Sequence, residues 1–169
     1  HRWAHVQSVA DEARRIASVV GDDEDLFVAA SLLHDVGYAP DLAKTGFHPL
    51  DGARHLEQLA AQRRLTCLVA RHSCAVIEAE MRGLDTDLAV FADEATVTRD
   101  ALWYCDMVTG PAGERMRFED RVAEIRDRYG EEGLVSRFIV HAAAGELGAA
   151  VERTIARMEQ AGIDQPRYG

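Results

Sequence analysis

Lysine occurs once in this 169-residue chain, at Lys44, and the three cysteines, Cys67, Cys74 and Cys105, show no Cys-x-x-Cys spacing. An odd, unspaced set excludes a disulfide framework and a zinc ribbon, and fits free thiols in a reducing cytoplasm. Cys67 and Cys74 lie seven apart, on one face of a helix that continues through both, where thiols pack as small apolar groups. Basic clusters are missing too: Arg14-Arg15 and Arg63-Arg64 are isolated pairs in a chain of net charge −10. Such a field repels a phosphate backbone, so no nucleic-acid polymer is expected as a partner. No apolar run approaches the ~20 residues of a membrane span. No basic stretch leads into an apolar segment as in a signal peptide. The expected compartment is therefore the cytoplasm, without membrane contact. Alternating β-branched runs and Asn-Gly turns are lacking as well, which argues against a sheet.

What is present is helical periodicity. Trp3, Val6, Val9, Ala13, Ile16 and Val20 recur at three- and four-residue intervals, predicting a first helix over residues 2–20 that Gly21 ends. The acidic run Asp22-Asp23-Glu24-Asp25 suits the positive end of a second helix. That helix carries His34-Asp35 and stops at Gly37. Residues 37–47 read as a loop, and Pro49 in the first turn of a third helix puts His48 at or near its N-cap. Further helices are expected over residues 50–61, 63–74, 84–92, 94–109, 117–129, 133–144 and 146–161, with 162–169 as a tail. With no repeat and no linker, the chain reads as one all-α domain. Residues 1–110 form its core, and helices within 111–161 pack on the same domain.

Polar residues in apolar settings carry the functional signal. His34-Asp35 closes the run Leu26–Leu33, and leaving both side chains buried and unpaired costs roughly 1–3 kcal/mol each. One metal ion serves both, and imidazole with carboxylate suits zinc, iron, manganese or nickel. His5 falls near the stripe of the first helix, His72 follows Val69 by three residues, and Asp106 ends the run Leu102-Trp103-Tyr104-Cys105. Plainer readings stand beside these: a C-terminal histidine on a helix dipole at His34, and a core histidine at His5. His55, seven beyond His48, competes with it; His1, four before His5, shares its face; His141 reads as structural.

In this order, His5, His34-Asp35 and Asp106 resemble the H…HD…D signature of the HD-domain metal-dependent phosphohydrolases. The resemblance covers residues 2–110 and takes in Arg2, three before His5, and the Gly37 of His34-Asp35-Val36-Gly37. His48-Pro49-Leu50-Asp51-Gly52-Ala53 and His72 resemble the two extra histidines of the binuclear subset. The family implies a helical bundle around a buried metal pocket. It also implies one metal on His5, His34, Asp35 and Asp106, and a second on His48 and His72, with Asp35 bridging and central to catalysis. One or two divalent transition metals (iron, manganese, nickel, cobalt or zinc) would hold a hydroxide for attack on a phosphoryl group. The implied activity is hydrolysis of a small-molecule phosphate ester, in first place a nucleotide. A mixed-valent di-iron oxygenase on the same six ligands, and a non-catalytic metal-stabilised binding module, remain open readings.

The substrate side departs from the family. Some members carry a lysine directly after His-Asp-x-Gly; here Tyr38 stands there. Lys44 and Arg71 become the candidate substrate-binding cations, with Arg54 and Arg82 behind them. The Gly- and Pro-containing segment Met107–Glu114 beside Asp106 is a candidate substrate rim. The final helices, with Ile125, Leu134, Phe138, Ile139, Val151, Ile155 and Met158, are expected to cover the core or form a homodimer face.

Overall fold

The computed structural model describes residues 2–165. Among them are ten helices and no strand: α1 (Arg2–Ile16), α2 (Glu24–Leu33), α3 (His48–Gln58), α4 (Arg63–Arg71), α5 (Ala75–Arg82), α6 (Asp85–Leu88), α7 (Val97–Met107), α8 (Phe118–Tyr129), α9 (Leu134–Ala143) and α10 (Glu146–Gln160). Short 3₁₀ turns stand at Ala17–Asp23, Val36–Tyr38 and His72–Cys74. The all-α expectation holds. No single helix among the described residues is long and apolar enough to cross a membrane.

Helix α7 is the axis of the fold. Every residue from Thr98 to Met107 is buried, and a helix covered on all sides must be surrounded by others. Helices α1, α2 and α10 pack against it. They contribute Val9, Ala13 and Ile16, then Phe27 and Ala30, then Leu147, Val151 and Met158 to one large core. A smaller cluster joins α3 to α6 through Phe47, Leu50, Ala53, Cys67, Ala79, Leu88 and Phe91.

Several expected boundaries move, each for a local reason. The first helix stops at Ile16, and the chain turns through a 3₁₀ segment with Gly21 at φ 59°. Trp3 does not join the apolar stripe; it is 68% exposed. Helix α2 ends at Leu33, so His34-Asp35 occupies its C-cap and the turn beyond rather than the helix itself. The expected helix 63–74 breaks after Arg71, because Ser73 and Cys74 adopt left-handed φ values of 46° and 61°. Cys67 and Cys74 consequently face different cores. The chain then re-enters α5, which the periodicity did not foresee, while the helix expected over 84–92 shrinks to α6. His1 and residues 166–169 of the expected tail lie outside the described residues.

An ion-pair knot ties the start of α2 to α4 and α7. The Asp23 carboxylate accepts from Arg64 at 2.6 and 2.8 Å and from the Thr98 hydroxyl at 2.7 Å. The Arg64 hydrogen bonds, then that of Thr98, hold Asp23 down at about 2, below its ordinary 3.8. A depressed carboxyl stabilises the fold above its unfolded pKa, and that contribution is lost as pH falls through the folded value. The melting-temperature advantage of the wild type over Asp23→Asn should therefore be constant from pH 7 to about 5. It should shrink below about 4 and vanish near 2. A gap that persists unchanged at pH 2 in thermal melts would remove Asp23 ionisation as its source.

Candidate metal centre

Six of the residues picked out above converge from five elements. His5 comes from α1, His34 and Asp35 from the end of α2, His48 from the first turn of α3, His72 from the turn after α4, and Asp106 from α7. The approach of α3 depends on two glycines. A Cβ on Gly37 would lie 2.0 Å from the His48 carbonyl oxygen and 2.6 Å from the Gly52 nitrogen, and one on Gly52 would lie 3.0 Å from the Gly37 nitrogen. Only without these side chains do the turn after Asp35 and the first turn of α3 meet backbone to backbone. Asp51, buried between them, accepts from the Lys44 and Thr45 amides and the Thr45 hydroxyl, and so fixes the preceding loop.

The imidazoles are oriented by their outer nitrogens. Nδ1 of His5 donates to the Gly110 carbonyl at 3.0 Å, Nδ1 of His34 to Ser31 at 2.7 Å, and Nδ1 of His72 to Val69 at 2.6 Å. A carbonyl can only accept, so each ring carries a proton on Nδ1, and wherever the ring is neutral its Nε2 is left for a metal, the arrangement typical of metal-ligating histidine. The carboxylates are fixed likewise. Asp35 Oδ2 accepts from Arg2 at 2.8 Å, and Asp106 Oδ2 from the Ser73 hydroxyl at 2.5 Å. Their Oδ1 atoms face the histidines: Asp106 Oδ1 is 3.2 Å from His5 Nε2, and Asp35 Oδ1 is 3.3 Å from His48 Nε2. His48 and His72 bring their Nε2 atoms to 3.1 Å. Tyr38 stacks on the His48 ring at 3.9 Å, with Arg2 over its other side at 3.3 Å.

His34 Nε2 is the direct test of whether a metal fits. It is buried without a hydrogen-bond partner, and the nearest carboxylate oxygens, from Asp35 and Asp106, stand off at 3.6 and 3.7 Å. That is too far for a hydrogen bond. It is close to the roughly 3–3.5 Å expected between two ligands that each lie about 2.1 Å from one ion. The donors fall into two groups, His5-His34-Asp35 and Asp35-His48-His72, whose ligand atoms all lie within 4.8 Å of one another. Asp35 is common to both.

The charges agree with that fit. Burial opposes ionisation of Asp35, yet the charge of His34 and the hydrogen bond and charge of His48 hold its carboxyl well below the ordinary range. Asp106 is likewise buried and likewise held low, by its hydrogen bond to His5 and the charges of His34, His5 and Arg121. Burial first, then His48 and His34, push His72 down to about 3. At His5 burial opposes charge, but the hydrogen bond to Asp106 and the charges of Asp106 and Asp35 raise its pKa, so a metal there would displace a proton to reach the neutral imidazole and ionised carboxylate that bind it.

The cavity that these residues open into holds about 330 Å³. Its far wall comes from α8 and α9: Arg121, Ile125, Arg128, Val135, Phe138 and Ile139. These two helices thus line the site, beyond the covering role expected of them, while α10 packs on α7. Met107 and Pro111 of the expected rim segment line it as well. Lys44 and Arg71 do not. Lys44 is exposed. Arg71 donates to the Phe91 carbonyl at 2.6 Å and to that of Leu88 at 3.2 Å. Asp106 is in neither donor group but stands beside the first, its Oδ1 3.2 Å from His5 Nε2 and 3.7 Å from His34 Nε2, whereas His55 and His141 join neither and His1 is outside the described residues. Sequence reasoning missed Ser73 and Arg121. Ser73 directly follows His72, which is a signal of sorts; Arg121 is one arginine among several on a charged helix.

A family model described as HD domain matches the chain over residues 2–132. It reaches past residue 110 and takes in α8 with Arg121. No curated protein and no solved structure matches the chain.

Proposed function

The chain belongs to the HD-domain family, and from that premise we propose that it is a binuclear metal-dependent phosphohydrolase acting on a small-molecule phosphate ester. The observation that carries this reading is Asp35, shared between two donor groups, with the bare Nε2 of His34 on one side and His48 and His72 on the other. His5, His34, Asp35 and Asp106 would hold one divalent transition metal, and Asp35, His48 and His72 a second. The chemistry supplied by such a pair is Lewis-acid: activation of water near neutral pH and neutralisation of phosphoryl charge.

The chain's own groups prepare that chemistry. Backbone carbonyls of Gly110, Ser31 and Val69 fix three imidazoles before any ligand arrives. Arg2 and Ser73 occupy one oxygen of each carboxylate and leave the other turned to the histidines. Iron, manganese, nickel, cobalt and zinc all suit imidazole with carboxylate, so the donor set leaves the metal open among them.

The test is a metal count joined to a substrate screen. Wild type should bind about two equivalents and, loaded with manganese, cobalt or nickel, release phosphate from one of a panel of nucleotides and simple phosphomonoesters. His48→Ala or His72→Ala should lower the count towards one, and His55→Ala should change neither count nor rate. If His55→Ala loses a metal while His48→Ala keeps both, the second site has been assigned to the wrong residue. Two irons with bridged absorption and oxygen uptake, and no phosphate release, would replace the hydrolase reading with the di-iron oxygenase. Full metal occupancy with neither activity would favour a binding module.

A further inference from the structure

Four arginines line the cavity: Arg2, Arg82, Arg121 and Arg128. All four have an acidic partner. Arg2 binds Asp35, Arg82 binds Glu78 through both Nε and Nη2, and Arg128 binds Glu124. Arg121 differs from them. It is only 7% exposed, its Nη1 meets Glu124, and its Nε is buried without any partner. A guanidinium offers five donors in a fixed fork, and burying it part-satisfied is costly. Arg121 lines the same cavity as Asp35, His48, His72 and Asp106.

The wall next to Arg121 has the opposite character. Ile125 stands one turn further along α8, and Val135, Phe138 and Ile139 face the same cavity from α9. None of the four side chains carries a hydrogen-bonding group. At about 330 Å³, the space is at the small end of the ~300–1,000 Å³ of ligand pockets.

We infer that Arg121 anchors the phosphate of the substrate and that the α8–α9 wall seats an apolar ester group. The substrate is then a compact phosphate monoester with an uncharged apolar substituent. This rests on the phosphohydrolase reading and narrows it. A planar guanidinium matches phosphate oxygens two at a time, which a lysine at the surface cannot do. Ile125, Val135, Phe138 and Ile139 offer no hydrogen bond to the ring nitrogens and carbonyls of a nucleobase, a penalty that a phenyl or alkyl group avoids, and the polar groups on that wall are confined to Arg128 and Tyr129 beside Arg121.

Calorimetric titration of manganese-loaded protein tests this without relying on turnover. The probes are inorganic phosphate and the non-hydrolysable phosphonate analogues of phenyl phosphate and adenosine monophosphate, named below by the esters they replace. Phenyl phosphate should bind wild type about tenfold or more tighter than inorganic phosphate, from the buried ring, and tighter than adenosine monophosphate. Arg121→Gln should weaken phosphate and phenyl phosphate roughly thirtyfold or more at unchanged metal content. Arg121→Lys, which keeps the charge and volume if the glutamine variant folds poorly, should lose less. Phe138→Ala should reduce only the advantage of phenyl phosphate. Unaltered phosphate binding by Arg121→Gln or Arg121→Lys overturns the anchor, and tighter binding of the nucleotide overturns the apolar seat. A metal-replete wild type that binds no phosphate and hydrolyses no ester overturns the phosphohydrolase reading itself, an outcome distinct from failure of Arg121 alone.

Discussion

His34→Ala should remove metal from the site and phosphate release with it. The His34 side chain is fully buried, its Nδ1 is committed to Ser31, and its Nε2 has no partner among the described residues. No neighbouring donor can replace it, because His5 and His72 are themselves held by backbone carbonyls. Changes to groups that merely support metal ligands cost 10–100-fold, so loss of this imidazole should lower metal affinity by more than about 100-fold. The sharper readout is stability. A metal at a hundredfold excess over its Kd stabilises the folded state by about 2.7 kcal/mol. For a domain of this size that raises Tm by roughly 5–11 °C. Wild type should show this rise on metal addition, and the variant should show none. The metal-free variant should melt below the metal-free wild type, because the Nδ1 bond to Ser31 and the packing of the ring are lost, only partly offset by removal of an unsatisfied buried nitrogen, so the decisive readout is the metal-dependent rise in each protein and not the starting Tm. A variant with full metal content and wild-type activity would end the metal-site reading.

How much of this was legible in the sequence depended on whether a residue's setting could be seen locally. Asp106 and His34-Asp35 stood out because each interrupts an apolar run, and in the structure each is buried among ligand-type side chains. His48 is separable from His55 by its Pro-Leu-Asp-Gly context, for a physical reason: Gly52 lets that turn pass close to Gly37, and Asp51 fixes the loop that leads into it. The break after Arg71 was hidden. Ser73 and Cys74 take left-handed backbone conformations that ordinary side chains adopt rarely. Tertiary contacts, including the Ser73 bond to Asp106, hold them there. The substrate side was the least legible. Lys44 was favoured for lying near Asp35 in the chain, yet distance along a sequence says little about which helix closes a cavity from the far side. Arg121 sits on α8 among Arg117, Arg126 and Arg128, and only packing buries it while the others stay at the surface.

Gly37→Ala should be the most damaging change outside the donor set. The added Cβ would fall 2.0 Å from the His48 carbonyl oxygen and 2.8 Å from its carbon, both backbone atoms of α3 that cannot swing aside as a side-chain end could. Relief requires the turn after Asp35 and the first turn of α3 to separate, and overpacking of this kind costs about 3 kcal/mol or more. The melting temperature should fall by roughly 6–12 °C. Separation also moves His48 away from Asp35 and His72, so metal should be lost from that side first, with His5, His34 and Asp106 still able to retain one ion. Gly145→Ala is the control. Its Cβ would meet its nearest neighbours, the His141 and Ala142 carbonyl oxygens, at 3.6 and 3.9 Å, ordinary contact distances. That variant should keep the metal count and lose no more than the roughly 1 kcal/mol of a weaker N-cap on α10. If Gly37→Ala melts with wild type and holds the same number of metals, the close passage of the two glycine-bearing turns does not set the spacing of the centre, and His48 must be placed by the packing of Phe47 and Leu50 in the smaller core.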